Sequence, residues 1–168
     1  MSEPRSDNLT LKESFERADF INKNALILSS WFGTGLFPKV PGTAGTLAAI
    51  PMALVMNHLG PFFGAIFLVI FILAAVWSSG ITERLMGQDD PKEVVIDEVA
   101  GFLLTIYLLP LSWLSIALGF IMFRFFDILK PFPIRRLERI GGGTGIVIDD
   151  LVAGVYASLS INILFLFL

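Results

Sequence analysis

Residues 94–127 read VVIDEVAGFLLTIYLLPLSWLSIALGFIMFRFFD, and the placement of charge in this stretch decides the fold. Val99–Phe123 carries no charged side chain, whereas Asp97 and Glu98 precede it and Arg124 and Asp127 follow it. Pro110 divides the apolar run into two arms, Val99–Leu109 and Leu111–Phe126. Read as a helical hairpin, the arms return Asp97 and Asp127 to one side. Read as one continuous helix with Pro110 as a tolerated kink, they put the two acids on opposite sides of a membrane.

The rest of the chain favours the hairpin. All 12 Lys and Arg fall in three stretches, Arg5–Lys39, Arg84–Lys92 and Arg124–Arg139. Between the first two, Val40–Thr82 holds no ionisable group except His58, and after Asp150 the chain is uncharged to Leu168. Loop Lys and Arg favour the cytoplasmic side of a membrane, so all three basic stretches are expected there. Thr46–Met56 and Phe62–Ser78 then form a first hairpin around Asn57–Pro61, and Leu151–Leu168 crosses once. The predicted fold class is all-α: a compact, integral-membrane bundle of about five apolar helices with two helical hairpins. The arms are short, since eleven residues rise only about 16 Å and sixteen about 24 Å against a hydrocarbon core of roughly 30 Å. The second hairpin is therefore expected to be re-entrant or strongly kinked if it does not span.

Composition agrees with this class. The chain is 55 % hydrophobic and only 16 % charged, where soluble domains carry about 25 % charged residues. A net charge of −3 and the lack of a basic block argue against a nucleic-acid partner. With no cysteine, thiol-dependent phosphatases, structural disulfides and thiolate metal sites are excluded. With one histidine, mechanisms that need two are excluded as well. Residues 1–24 are polar, lack an apolar signal core, and read as a mobile or surface-lying arm with a short amphipathic helix over Leu9–Ile21. Residues 25–168 then form the membrane-embedded domain.

Two segments repeat one pattern, Ile96-Asp97-Glu98-Val99-Ala100-Gly101 and Ile148-Asp149-Asp150-Leu151-Val152-Ala153-Gly154. Each places two adjacent acids before an apolar helix with an early Ala-Gly. One acid of each pair is explained as a helix N-cap; the second is not. Gly101 and Gly154 would let another helix approach closely. Arg124, Asp127 and Lys130 recur every three residues and so share a helical face, among phenylalanines at the membrane boundary, where ionisable groups are costly. Five carboxylates thus sit at ends of apolar helices: Asp97, Glu98, Asp127, Asp149 and Asp150. Hard oxygen ligands without His or Cys suit Mg²⁺, with Mn²⁺ as the alternative. One or two such ions would relieve the mutual repulsion and activate water for attack on phosphorus.

Two glycine-rich segments accompany the acids. Gly33–Thr46 offers backbone N–H groups, the Thr43 hydroxyl and the Lys39 ammonium to an anion, although an ordinary Pro/Gly loop reads as well. It is not a P-loop, because the G-x-x-x-x-G-K-[ST] order is absent. Gly141–Gly145 reads as a loop leading into Asp149-Asp150.

Four blocks now stand in order: Gly33-x-Gly35 with Pro38-x-x-Pro41-Gly42-Thr43-x-Gly45-Thr46; Ile96-Asp97-Glu98-x-x-Gly101; Phe123-Arg124-x-Phe126-Asp127-x-x-Lys130-Pro131-x-Pro133; and Gly142-Gly143-x-Gly145-x-x-x-Asp149-Asp150-x-x-Ala153-Gly154. Together they resemble the phosphatidylglycerophosphatase A family over about Trp31 to Tyr156. The resemblance implies Mg²⁺-dependent hydrolysis of phosphatidylglycerophosphate to phosphatidylglycerol and phosphate, on the cytoplasmic face of the bacterial inner membrane, by a compact all-helical protein. It implies Asp97, Asp127 and Asp149 as catalytic, the five acids as metal ligands, and Lys39, Thr43, Arg124 and Lys130 as substrate-binding. Arg135, Arg136 and Arg139 are expected to face anionic lipid. The oligomeric state is left open. Attack by water and attack by an aspartate both remain open, with water favoured because no DxDx[TV] block is present. A lipid phosphotransferase would also use clustered Asp, but its D-G-x-x-A-R pattern is missing. A transporter would place acids at mid-span rather than at helix ends.

Overall fold

The computed structural model describes residues 9–137 and 139–167, and every regular element in them is helical. The polar N-terminal part forms two helices where one was expected. Helix α1 spans Leu11–Arg17 and starts with a capping box: the Thr10 hydroxyl accepts from the Glu13 N–H, and the Glu13 carboxylate accepts the Thr10 N–H at 2.8 Å. Helix α2 spans Phe20–Ser29 because Asp19 caps it, accepting the Asn22 N–H at 2.9 Å. This second cap breaks the Leu9–Ile21 helix at Ala18-Asp19. The pair is docked, not loose: Leu11 and Leu26 pack with Met86, and the Leu9 N–H donates to the Met86 carbonyl at 3.0 Å.

A short 3-10 turn, Thr34–Leu36, leads into α3 (Pro41–Ala48), α4 (Ile50–His58) and α5 (Gly60–Met86). The first arm of the first hairpin is thus two helices, interrupted at Ala49 just ahead of Pro51, whose ring disfavours a continuous helix. Only Leu59 separates α4 from α5, and Gly60 takes the left-handed conformation (φ +76°) that the reversal needs. Helices α6 (Ile96–Tyr107) and α7 (Trp113–Leu129) pack together around a break at residues 108–112. The single continuous helix through Pro110 is therefore not formed. After α7, Lys130 adopts φ +45° ahead of Pro131, the four-residue α8 follows (Ile134–Leu137), and α9 runs from Gly142 to Phe165.

Helix α9 is central and packs against α5, α6, α7 and α8. Its approach to α6 is set by glycine. A Cβ on Gly154 would strike the Gly101 carbonyl, and one on Gly101 would strike the Asp150 carbonyl and the Phe123 ring. The Thr105 hydroxyl lies in the same contact, donating to the Gly101 carbonyl at 2.9 Å and within 3.3 Å of that of Gly154. Gly141–Gly145 is not a loop: it is the N-cap and first turn of α9, with Gly143 packed against the backbone of Val76 and Gly80 on α5. Glycine there permits contact between helices instead of supplying a linker. The consequence is that Asp149 and Asp150 lie two turns inside α9, and neither caps it. Of the described helices, Gly60–Met86 and Gly142–Phe165 are long and apolar enough to cross a membrane. Helix α6, with 12 residues, is only about 18 Å long.

Candidate active site

The N-terminal ends of α3 and α6, the C-terminal end of α7 and the third turn of α9 enclose a cavity of about 390 Å³. It is lined by all nine side chains singled out from the sequence: Lys39, Thr43, Asp97, Glu98, Arg124, Asp127, Lys130, Asp149 and Asp150. Asp97, Asp127, Asp149 and Asp150 are buried.

The five acids are not equivalent. One oxygen each from Asp97, Glu98 and Asp150 lie within 4.8 Å of one another. The other two acids are held by cations: Asp127 meets the Arg124 guanidinium at 2.6 Å and Asp149 accepts from the Lys130 ammonium at 2.8 Å. Arg124 also stands 3.8 Å from Glu98. Burial pushes the Glu98 carboxyl up to about 7, and the Asp127 charge adds to this against the opposing Arg124. Burial, followed by the charges of Glu98 and Asp150, holds the Asp97 carboxyl well above its ordinary range. Asp97 Oδ1, Glu98 Oε2 and Asp149 Oδ1 are buried without a hydrogen-bond partner. Buried carboxylate oxygens without donors, beside a close group of three acids, fit a hard divalent cation, and the donor set, all oxygen, suits Mg²⁺ or Mn²⁺.

Opposite the acids stands the start of α3. Pro41 is its first residue, Val40 offers no side-chain cap, and the first i→i−4 bond is made by the Ala44 N–H to the Val40 carbonyl at 3.0 Å. The amides of Gly42 and Thr43 precede that bond, and both residues line the cavity beside Lys39. A Cβ on Gly42 would overlap the Glu98 carboxylate, so glycine alone lets this helix end approach the acids. Helix amides, a hydroxyl and an ammonium together suit a phosphate.

The connection from α5 to α6 contributes residues that the sequence reading passed over. Asp90, Lys92 and Val94 line the same cavity, and Asp90 takes φ +47° before Pro91. A non-glycine residue in that conformation, next to an Asp-Pro pair and seven residues before Asp97, is a signal that backbone geometry reveals and composition hides. His58, at the end of α4, is not part of the cavity lining.

Residues 27–165 match the sequence profile of phosphatidylglycerophosphatase A. The chain belongs to the phosphatidylglycerophosphatase A family. It is 41 % identical over 134 residues to the phosphatidylglycerophosphatase A of Escherichia coli, covering 79 % of this chain and 78 % of that one. It is 40 % identical over 134 residues to the phosphatidylglycerophosphatase A of Haemophilus influenzae, covering 78 % and 82 %. A Bacteroides thetaiotaomicron protein named as a candidate phosphatidylinositol-3-phosphatase is 35 % identical over 147 residues, covering 82 % and 91 %. No solved structure matches the chain. The family assignment makes the chain a phosphoric monoester hydrolase, and the acid-and-cation cavity is the place in the fold with the groups for that chemistry.

Proposed function

We propose that the chain is a Mg²⁺-dependent lipid phosphatase that hydrolyses phosphatidylglycerophosphate to phosphatidylglycerol and phosphate on the cytoplasmic face of the bacterial inner membrane. The observation that carries this reading is the close trio Asp97, Glu98 and Asp150, set against the open amides of α3 and the cations Lys39, Arg124 and Lys130. The names of the E. coli and H. influenzae relatives supply the lipid.

Asp97, Glu98 and Asp150 would hold the ion, with Asp127 and Asp149 at its edge. When bound, the ion neutralises the acids and draws charge from the phosphoryl oxygens. Lys39, Arg124, Lys130 and the amides of Gly42 and Thr43 bind and orient those oxygens. Asp127 fixes the Arg124 guanidinium, and Lys130 fixes one oxygen of Asp149. The other oxygen, Asp149 Oδ1, is buried without a partner and would take a proton from the attacking water. The new bond forms from that water to phosphorus, the bond from phosphorus to the terminal glycerol oxygen breaks, and phosphatidylglycerol leaves as an alcohol when that oxygen takes the proton that Asp149 received.

Membrane residence is supported by the two long apolar helices and by what they expose. Phe62, Phe63, Val69, Ile70 and Leu73 of α5 and Leu159 and Ile163 of α9 lie on the outside of the molecule. Apolar surface of that extent is unfavourable in water and suits lipid. The Bacteroides relative favours a second reading, a phosphatase for another lipid with a phosphomonoester on its polyol headgroup. Both named lipids carry that monoester together with a phosphodiester to diacylglycerol. Phosphate release from a panel of lipid phosphates by the purified protein, with Mg²⁺ and with excess EDTA, tests the proposal. Release from phosphatidylglycerophosphate that EDTA abolishes is expected; undiminished release in EDTA would refute the metal, and preference for another lipid would refute the substrate.

A further inference from the structure

Beyond the acid cavity, a second cavity of about 460 Å³ is lined by Lys130, Arg135, Arg136, Arg139 and Phe132. We propose that it binds the phosphodiester of the lipid substrate, so that the enzyme reads both phosphates of the headgroup. This inference rests on the function proposed above and adds to it the group that selects the lipid.

Lys130 joins the two sites, because it lines both cavities and its ammonium bonds Asp149 in the first. Among the described residues no carboxylate pairs with Arg135, Arg136 or Arg139, and all three side chains are exposed, so their charge is open to a ligand. The Arg136 guanidinium lies over the Phe132 ring, 4.9 Å from its centroid, a contact that orients its donors without neutralising it. The cavity also has apolar walls: Leu129 and Phe132 line it and are exposed. The acid cavity thus meets, at Lys130, a second cavity that carries arginines and apolar side chains together. A phosphatidyl headgroup joins its monoester through a glycerol bridge to a diester and acyl chains, the groups these two cavities suit. Lys39 and Lys92 line the acid cavity itself and so serve the monoester.

The consequence is selectivity against phosphatidate, which has a monoester and no diester. The test compares short-chain phosphatidylglycerophosphate with short-chain phosphatidate in uncharged detergent micelles, for the wild type, Arg136→Gln, Arg139→Gln and Arg136→Lys. Loss of one arginine–phosphate contact is expected to raise KM for phosphatidylglycerophosphate by about tenfold. The preference for it over phosphatidate should fall by a similar factor, and Arg136→Lys should restore part of it. Inhibition by short-chain phosphatidylglycerol, which keeps the diester, should weaken in parallel. An unchanged preference in both Gln variants overturns the diester site. So does a loss equal for both substrates, or one seen only on anionic vesicles, which would mark general attraction to the surface. Failure of the wild type to release phosphate from phosphatidylglycerophosphate overturns the proposed function itself, a result separate from these.

Discussion

Glu98 provides the sharpest test of the idea that the acid cluster is built for a cation. Its carboxyl is pushed up to about 7 in the folded protein from an ordinary 4.5. Keeping it ionised in the metal-free fold therefore costs on the order of 3 kcal/mol, at about 1.4 kcal/mol per unit. Glutamine has nearly the same shape and never carries the charge. Between pH 4.5 and 7 the folded state holds a proton at Glu98 that the unfolded state has lost, so this group makes the metal-free wild type lose stability as pH rises through this window. Glu98→Gln lacks that loss. In EDTA at pH 8.5 the variant should be the more stable protein, by roughly 6–12 °C in Tm for a chain of this size. At pH 4 the two should coincide. With saturating Mg²⁺ at pH 8.5 the order should reverse, because binding stabilises only the state that holds the ion and the variant has lost a charged ligand. Thermal unfolding of detergent-solubilised protein, followed by intrinsic fluorescence across pH with EDTA and with Mg²⁺, reads all three arms. A variant no more stable than wild type in EDTA at pH 8.5, or one that gains as much from Mg²⁺, would refute the reasoning.

Asp97→Asn, Asp127→Asn and Asp149→Asn should each lower turnover by about 100-fold or more at unchanged expression; a near-wild-type rate in phosphate release removes that residue from the site. Gly101→Ala should destabilise by about 1–3 kcal/mol, because its Cβ meets the Asp150 carbonyl and the Phe123 ring. Gly141→Ala meets nothing and should stay within about 0.5 kcal/mol, so equal Tm values for the two variants would contradict the close α6–α9 packing. The chain has no cysteine of its own, so single cysteines at Lys92 and Arg136 can be labelled cleanly. Both should react only with reagent supplied from the cytoplasmic side, and labelling from opposite sides would refute the common face.

The helical class and the set of side chains that line one cavity were legible in the sequence, and for a simple reason. Charge is expensive in an apolar run, so the long uncharged stretches mark helices, and the few charged residues at their ends mark chemistry. The basic stretches even chose the hairpin over the single span. The pairings within the site were not legible. Five acids at helix ends look alike in a linear chain, yet Asp127 and Asp149 turn to Arg124 and Lys130 while Asp97, Glu98 and Asp150 turn to one another. That division depends on how α9 is rotated and how near α6 it lies, which Gly101 and Gly154 set from opposite sides of one contact. The acid pair of α9 read as a cap because a glycine run normally ends a helix. Here Gly143 meets the backbone of α5, and the contact lets the helix begin two turns early. The stretch from Val94 to Asp127 thus determined by its own charges that the chain turns back and which acids and cations meet at one cavity. Which acids face one another and which are held by an arginine or a lysine was decided only by the tertiary structure, since those distances are set between helices far apart in the chain.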